Sequence, residues 1–509
     1  MQRNLALLSS AAFDLLVIGG GVTGAGIALD AVLRGYRTAL IDRGDLAGGA
    51  SSASSKLVHG GIRYLEHGDL ALVHEALLER RRLLRNAPHL VRPLRFLIPF
   101  YKGMRRPGWQ WRIGLTMYDF LAGRGNLQRS RPLSIPALRR AAPGLKAANL
   151  AGGASYYDAQ MDDARLCIEV AHTAADAGAC IANYVEAVDF VRDGAKISGV
   201  RVNDRHGGGE FVIRARQVVN AAGPQVDRLC RAAADPGAPH LRPTQGVHLI
   251  VANTLGLTSA LLLLHPADGR VFFVIPWPHR AGGAPATLLI GTTDTFADDP
   301  DAPVVAPADV DYLLAGRNHF FEPALTAADV CGTFVGMRPL LRARSDQPSA
   351  VSREYKLIES PGGLVSVAGG KYTTYRHMAE AATDVVAARL GKRHACRTGD
   401  LRLIGAPEQP WADYVPQATA ELARQHALRP EAALHLVERY GQRAFDVAKY
   451  LDGAPDLAQP LTAGEPDLRV EWRYQQEQEM ALTPADHWLR RMRVGMWRPE
   501  LLRESTPPR

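Results

Sequence analysis

One short stretch near the N-terminus restricts the fold of this chain more than anything else in it. Asp14-Leu15-Leu16-Val17-Ile18 is a continuous apolar run, the texture of a strand buried on both faces of a parallel sheet. It runs into Gly19-Gly20-Gly21-Val22-Thr23-Gly24, a GxGxxG sequence, and then into an Ala-rich helical stretch that Gly35 stops near Arg34. Thr38-Ala39-Leu40-Ile41 supplies a second strand and ends on Asp42, 18 residues beyond Gly24. The whole is a βαβ unit with an acid where a dinucleotide's ribose needs one. Gly19 allows the tight turn, Gly21 lets backbone approach a pyrophosphate, and Gly24 lets helix and strand pack closely. The phosphates belong at the helix N-terminus, where N–H groups and the dipole favour anions. The competing reading is a structural turn without ligand, which gives no reason for the acid to fall in place.

A chain of 509 residues has room for two to four domains at roughly 100–200 residues each. Sixty Lys and Arg against 52 Asp and Glu leave a net charge of +8, which suits phosphate esters, acidic membrane surfaces or nucleic acid. Five cysteines without a CxxC pair argue against a disulfide framework or a thiolate metal site and fit a reducing compartment. No metal is expected. No run reaches the ~18 apolar residues of a spanning helix. Met1 to Ala12 resembles a signal peptide only faintly and leads straight into the first strand, so it reads as a mature cytoplasmic N-terminus.

Ser51 to Glu66 (SSASSKLVHGGIRYLE) is too dense in serine and glycine for a helix or strand interior. Its hydroxyls and amides, with Lys56, His59 and Arg63, suit the lining of an anionic cofactor, or else a solvated loop. A helix follows from Asp69 to about Asn86 with Val73, Leu77 and Leu84 inward, and Arg80-Arg81-Arg82 reads as a solvated face. Arg92 to Arg112 interleaves basic residues with Phe96, Phe100, Tyr101, Trp109 and Trp111. Three readings stand: a membrane-interface segment, a domain-packing loop, or a stacking surface for single-stranded nucleic acid.

Further on, Leu166 to Gly178 reads as a helix, and His206-Gly207-Gly208-Gly209 as a hairpin turn between Val200–Val202 and Phe211–Ile213. Gln217 to Asn220 is another buried strand, running into Gly223. Short apolar runs bounded by Pro and Gly between Pro236 and Thr295 suggest an antiparallel sheet. Leu364 to Arg376 (LVSVAGGKYTTYR) repeats the strand–glycine–helix pattern. A flavoprotein uses such an element, because a helix N-terminus and Lys371 can stabilise the anion formed on reducing an isoalloxazine; the plain alternative is a surface lysine. After Cys396 the chain turns helical, with Pro430 to Tyr440 a helix stopped by Gly441. No Walker A, HExxH or GxSxG sequence occurs.

The stretches GGGVTGAG, SSASSKLVHGGIRYLEHGD, MDDARL, GTTD, GMRPL and SVAGGKYTTYR together resemble the FAD-dependent glycerol-3-phosphate dehydrogenases, the aerobic, quinone-linked flavoenzymes. The likeness spans about Asp14 to Arg376, and the C-terminal region is also similar. It implies an α/β fold: a Rossmann-type FAD-binding domain, an antiparallel-sheet substrate domain of the D-amino-acid-oxidase type, and a C-terminal helical domain. The FAD-dependent region would occupy 1–395, with FAD-binding segments at about 12–85, 156–235 and 330–392 and cap segments at 86–155 and 236–329. Residues 396–509 would form the accessory domain. Gly19, Gly21, Gly24 and Asp42 match positions that hold the ADP half of FAD. Ser51, Ser52, Ser55, Lys56 and His59 match the loop leading to the flavin, with Gly223, Gly369, Gly370 and Lys371 also at the cofactor. Arg63, Tyr64, His248, Arg338, Arg353, Lys371 and Thr373 match positions around the substrate. Where the family commonly reads Lys-Gly-Ser-His, this chain has Gln245-Gly246-Val247-His248.

The implied reaction oxidises glycerol 3-phosphate to dihydroxyacetone phosphate. His248 is the candidate base, with a structural, hydrogen-bonding histidine as its alternative. Arg338 and Arg63 suit the phosphate, and Lys371 the flavin. Arg338, in Gly336-Met337-Arg338-Pro339, reads as a loop residue, either reaching a ligand or pairing a carboxylate. Electrons would pass to ubiquinone or another quinone at the inner face of the cytoplasmic membrane, the protein being peripheral on its anionic surface, with a homodimer allowed and no nucleic acid partner. An oxidase using oxygen, or an amine or amino-acid oxidase of the same fold, shares many of these features.

Overall fold

The computed structural model describes residues 1–104, 106–278, 285–297, 299–342, 354–391 and 394–503, with the side chains of residues 63, 66 and 67 excepted. Ala12–Ile18 is a parallel strand between Thr38–Ile41 and Gly209–Asn220, and the helix Val22–Leu33 connects the first two. Leu15, Leu16 and Val17 are fully buried, which is why the strand carries no polar alternation. Val365–Gly369 extends the sheet beside Gly209–Asn220, and Cys180–Ala182 extends it beside Thr38–Ile41, both in parallel. Two apolar runs that read separately, Phe211–Ile213 and Gln217–Asn220, form one strand. Its first half pairs antiparallel with Lys196–Asp204 across the hairpin, its second half parallel with Ala12–Ile18.

The second sheet is assembled from distant segments. Val91–Tyr101 pairs with Leu150–Met161 on one side and, in parallel, with Ala260–Leu264 on the other. Val271–Trp277, Thr287–Gly291 and Thr244–Ala252 follow in antiparallel order. Val330–Arg338 then pairs with Thr244–Ala252 over almost its whole length. This corrects two expectations. Residues 330–338 pair into the second sheet and not into the sheet of Ala12–Ile18, and Arg338 ends a strand instead of sitting in a loop.

The basic-aromatic segment is corrected as well. Arg92 to Tyr101 is a core strand whose Phe96 and Phe100 are buried. Gly108–Ala122 is a helix that turns Trp111, Leu115 and Tyr118 inward. Arg80 is not a solvated face either. It lies three residues after Leu77 on the inner face of helix Leu70–Asn86 and is fully buried. There it donates to Asp158 at 2.5 Å and to the carbonyls of Tyr157 and Gly125. Leu83, not Leu84, completes that face.

The C-terminal helices Trp411–His426, Pro430–Tyr440 and Arg469–Gln478 enclose their own core of Leu422, Leu436, Val437 and Tyr474. The domain is docked through buried charge: Arg165 binds Glu479 through two hydrogen bonds of 2.6 and 2.9 Å, and Arg493 meets Asp162 at 2.9 Å.

Candidate active site

A cavity of about 1520 Å³ lies between the two sheets. Pockets for one small molecule run to about 1,000 Å³ at most, so this one has room for an extended dinucleotide and a substrate. At one end the glycine turn opens onto it, with Gly19, Gly21, Val22 and Thr23 in the wall. Gly19 has φ +115°, and a Cβ there would meet the Ala221 carbonyl oxygen at 2.4 Å. Gly24 lies behind the wall; its Cβ would stand 1.8 Å from the Gly19 carbonyl oxygen, so the helix can approach the turn only without a side chain. The Oγ of Ser51 accepts from the Val22 N–H at 3.0 Å and so pins the serine loop to the helix start.

Asp42 accepts from the Gly20 and Gly44 amides at 2.6 and 2.8 Å. Burial pushes its carboxyl up to about 6, against the pull of those amides. Opposite, Gly369 and Gly370 adopt φ +85° and +92°, and Gly223, Gly369, Gly370, Lys371 and Thr373 line the cavity between strand ends and the helix Tyr375–Leu390. A bare backbone cradle, an acid at the second strand's end and a long cavity fit FAD.

At the other end, side chains from several strands converge. His248 is buried and stacks on Phe334 with ring centroids 4.6 Å apart. Its Nε2 lies 2.8 Å from Ser55 Oγ. Burial holds its pKa well below the ordinary histidine value, helped by the nearby Arg338 and Lys56 charges, so the ring is neutral. Arg338 donates to Asp294 Oδ1 at 3.0 Å, to Thr292 Oγ1 at 2.9 Å and to the Thr293 carbonyl at 3.2 Å. The Lys371 ammonium stands 3.7 Å from the centre of the Tyr64 ring.

The cavity therefore gathers Gly19, Gly21, Asp42, Ser51, Ser52, Ser55, His59, Tyr64, Gly223, His248, Arg338, Gly369, Gly370, Lys371 and Thr373. Lys56 is corrected: its ammonium turns inward to Asp163, at 2.7 and 2.9 Å from the two carboxylate oxygens, and bonds the Ser52 carbonyl. It braces the serine loop from behind. The Arg63 side chain and all of Arg353 lie outside the described residues.

The departure at Gln245-Gly246-Val247-His248 also has a structural answer. Side chains alternate along a strand, and Gly246 and His248 line the cavity. Val247 packs on the sheet's other face, and Gln245 bonds the backbone of Val304. The two replaced positions are turned away from the site. Thr292, Asp294, Asp163 and Phe334 carry the site's geometry but went unassigned in the sequence; the GTTD and MDDARL stretches were the signal for the first three.

Comparison with known proteins places the family and the fold. The family described as FAD dependent oxidoreductase matches residues 14–382, and the C-terminal domain of alpha-glycerophosphate oxidase matches 396–508. A glycerol-3-phosphate dehydrogenase of Mycobacterium leprae is 40% identical over 488 residues, covering 95% of this chain and 81% of that protein. The human mitochondrial glycerol-3-phosphate dehydrogenase is 36% identical over 525 residues, covering 99% and 70%. The crystal structure of the Bacillus halodurans glycerol-3-phosphate dehydrogenase complexed with FAD superposes with a TM-score of 0.80 at 33% identity, covering 97% of this chain and 89% of that one.

Proposed function

This chain belongs to the FAD-dependent oxidoreductases, among the glycerol-3-phosphate dehydrogenases, and we propose that it passes electrons from sn-glycerol 3-phosphate to a quinone at an anionic membrane surface. The observation that carries the reading is the meeting of His248, Arg338, Tyr64 and Lys371 in the cavity that begins at the glycine turn. Bound FAD supplies the hydride acceptor. The chain's residues bind, orient and move the proton.

Glycerol 3-phosphate is a small dianion, and a guanidinium offers it a planar pair of donors. Arg338 is braced by Asp294 and Thr292, so the phosphate meets a guanidinium already fixed in direction. His248, neutral and buried, takes the C2 hydroxyl proton, with Ser55 Oγ at its Nε2 as the hydrogen-bonded neighbour. Lys371 places positive charge beside Tyr64, at the start of the second glycine–helix element.

Membrane attachment rests on one face of the helix Gly108–Ala122. Trp109, Ile113, Met117 and Phe120 follow one another at helical spacing and are 61%, 54%, 41% and 85% exposed, with exposed Arg112 between them. An aromatic and aliphatic stripe beside a cation suits a headgroup layer. Among the described residues, no helix is long and apolar enough to cross a membrane. Trp109→Ser with Phe120→Ser should release the protein from anionic vesicles while dye-linked turnover stays near normal. Co-sedimentation checks this; retained vesicle binding would remove the stripe from the account, and dimer loss on the same change would make it a self-association face.

The acceptor is tested by following quinone reduction and oxygen consumption in parallel, with glycerol 3-phosphate as donor. The reading predicts much faster reduction of a short-chain ubiquinone analogue. Faster oxygen consumption would make the protein an oxidase.

A further inference from the structure

The loop that follows Asp42 is held from an unexpected side. Asp45, three residues on, is almost fully buried and receives the Nε of Arg490 at 2.5 Å, both terminal nitrogens of Arg491, and Asn183 Nδ2 at 3.0 Å. Arg490 also donates through Nη2 to Asp486 at 2.5 Å, and Asp486 accepts from the Tyr184 hydroxyl at 2.7 Å. Tyr184 in turn bonds the Gly44 carbonyl through its amide at 2.8 Å. Arg490 and Leu489 line the cofactor cavity next to Asp42, Asp45 and Tyr184. The third guanidinium nitrogen of Arg490, Nη1, has no partner among the described residues.

We infer that the C-terminal domain completes the cofactor site, with Arg490 binding the ADP half of FAD and coupling that binding to the docking of its own domain. Asp45 and Asp486 consume two of the three donor nitrogens and fix the plane of the guanidinium. What remains is a preset cation on the cavity wall, the form in which arginine loses least freedom on meeting an anionic or polar ligand. Coupling is reciprocal: if the docked domain improves FAD binding, FAD must steady the docked domain by the same factor.

The test uses the full chain stripped of flavin, titrated with FAD, ADP and FMN by fluorescence and calorimetry. Arg490→Leu should weaken FAD and ADP roughly 10- to 100-fold, the range for one charge-assisted hydrogen bond. FMN, which lacks the adenosine, should bind unchanged. In the parent protein FAD should slow amide exchange across residues 486–496. Leu313→Ala is the structural comparison. It opens a gap in the core behind the second sheet, away from both the cavity and the docked C-terminal domain, and should lower Tm while leaving the FAD affinity of folded protein unaltered. Should Arg490→Leu not fold, Arg490→Lys is read on the same ligands, since it keeps the charge and loses the fork. Wild-type affinity for FAD and ADP in whichever variant folds, or equal losses for ADP and FMN, would overturn the inference.

Discussion

The two ends of the cavity are built from different materials. The cofactor end is mostly backbone: Gly19, Gly21, Gly223, Gly369 and Gly370 lie bare at strand ends, and the main side-chain contribution is one acid tied to two amides. The end where we place the substrate is side chain. His248, Thr292 and the pair Phe334 and Arg338 come from three strands or strand ends of the second sheet and are aimed by one another. A backbone site fails when atoms are added, and a side-chain site fails when they are removed. The first is also contiguous in sequence, while the second exists only after the sheet has paired.

The sharpest way to break the cofactor end is Gly24→Val. A Cβ would fall 1.8 Å from a backbone carbonyl that cannot swing aside, so the cost should exceed the about 1–3 kcal/mol typical of overpacking. Loss of bound flavin together with a large drop in Tm is the expected outcome, read by absorbance and thermal melting.

Removing atoms from the substrate end should leave the fold alone. Arg338→Ala should keep FAD content normal and lower kcat/KM for glycerol 3-phosphate by about 2–5 kcal/mol of transition-state stabilisation, the range for breaking a desolvated charge pair. Lysine should restore only part, because it lacks the planar fork. A similar proportional loss with unphosphorylated glycerol would show that Arg338 does not read the phosphate.

A smaller effect separates the ends by pH. Asp42 titrates at about 6 in the protein without cofactor, raised because burial disfavours its charge. Ribose hydroxyls donating to the carboxylate favour the charged form, so FAD binding releases a proton at low pH. Affinity should be flat above about pH 6 and fall as pH drops below it, by up to about tenfold per unit. Asp42→Asn should abolish this dependence, which titrations between pH 5 and 8 would reveal.

How much of this was legible in the sequence follows the same division. The βαβ unit, its acid and the second glycine turn sit where local spacing puts them, as does the helix Pro430–Tyr440 between its proline and glycine. What escaped was set by partners distant in sequence. Arg80 reads as a solvated cation until Asp158 is brought against it, 78 positions away. Lys56 reads as a ligand for an anion until Asp163 takes it. Half of the basic-aromatic segment is a strand because Leu150–Met161 and Ala260–Leu264 flank it. The Gln245 and Val247 replacements look damaging in a linear motif and face away from the cavity in a pleated one.

If glycerol 3-phosphate reduces an FAD held in this cavity, anaerobic titration of the purified flavoprotein with sn-glycerol 3-phosphate should bleach the oxidised flavin band. One dihydroxyacetone phosphate should form per flavin, and Arg338→Ala should bleach far more slowly at unchanged FAD content. A flavin left oxidised by glycerol 3-phosphate but bleached by an amine or amino acid would contradict the proposed reaction.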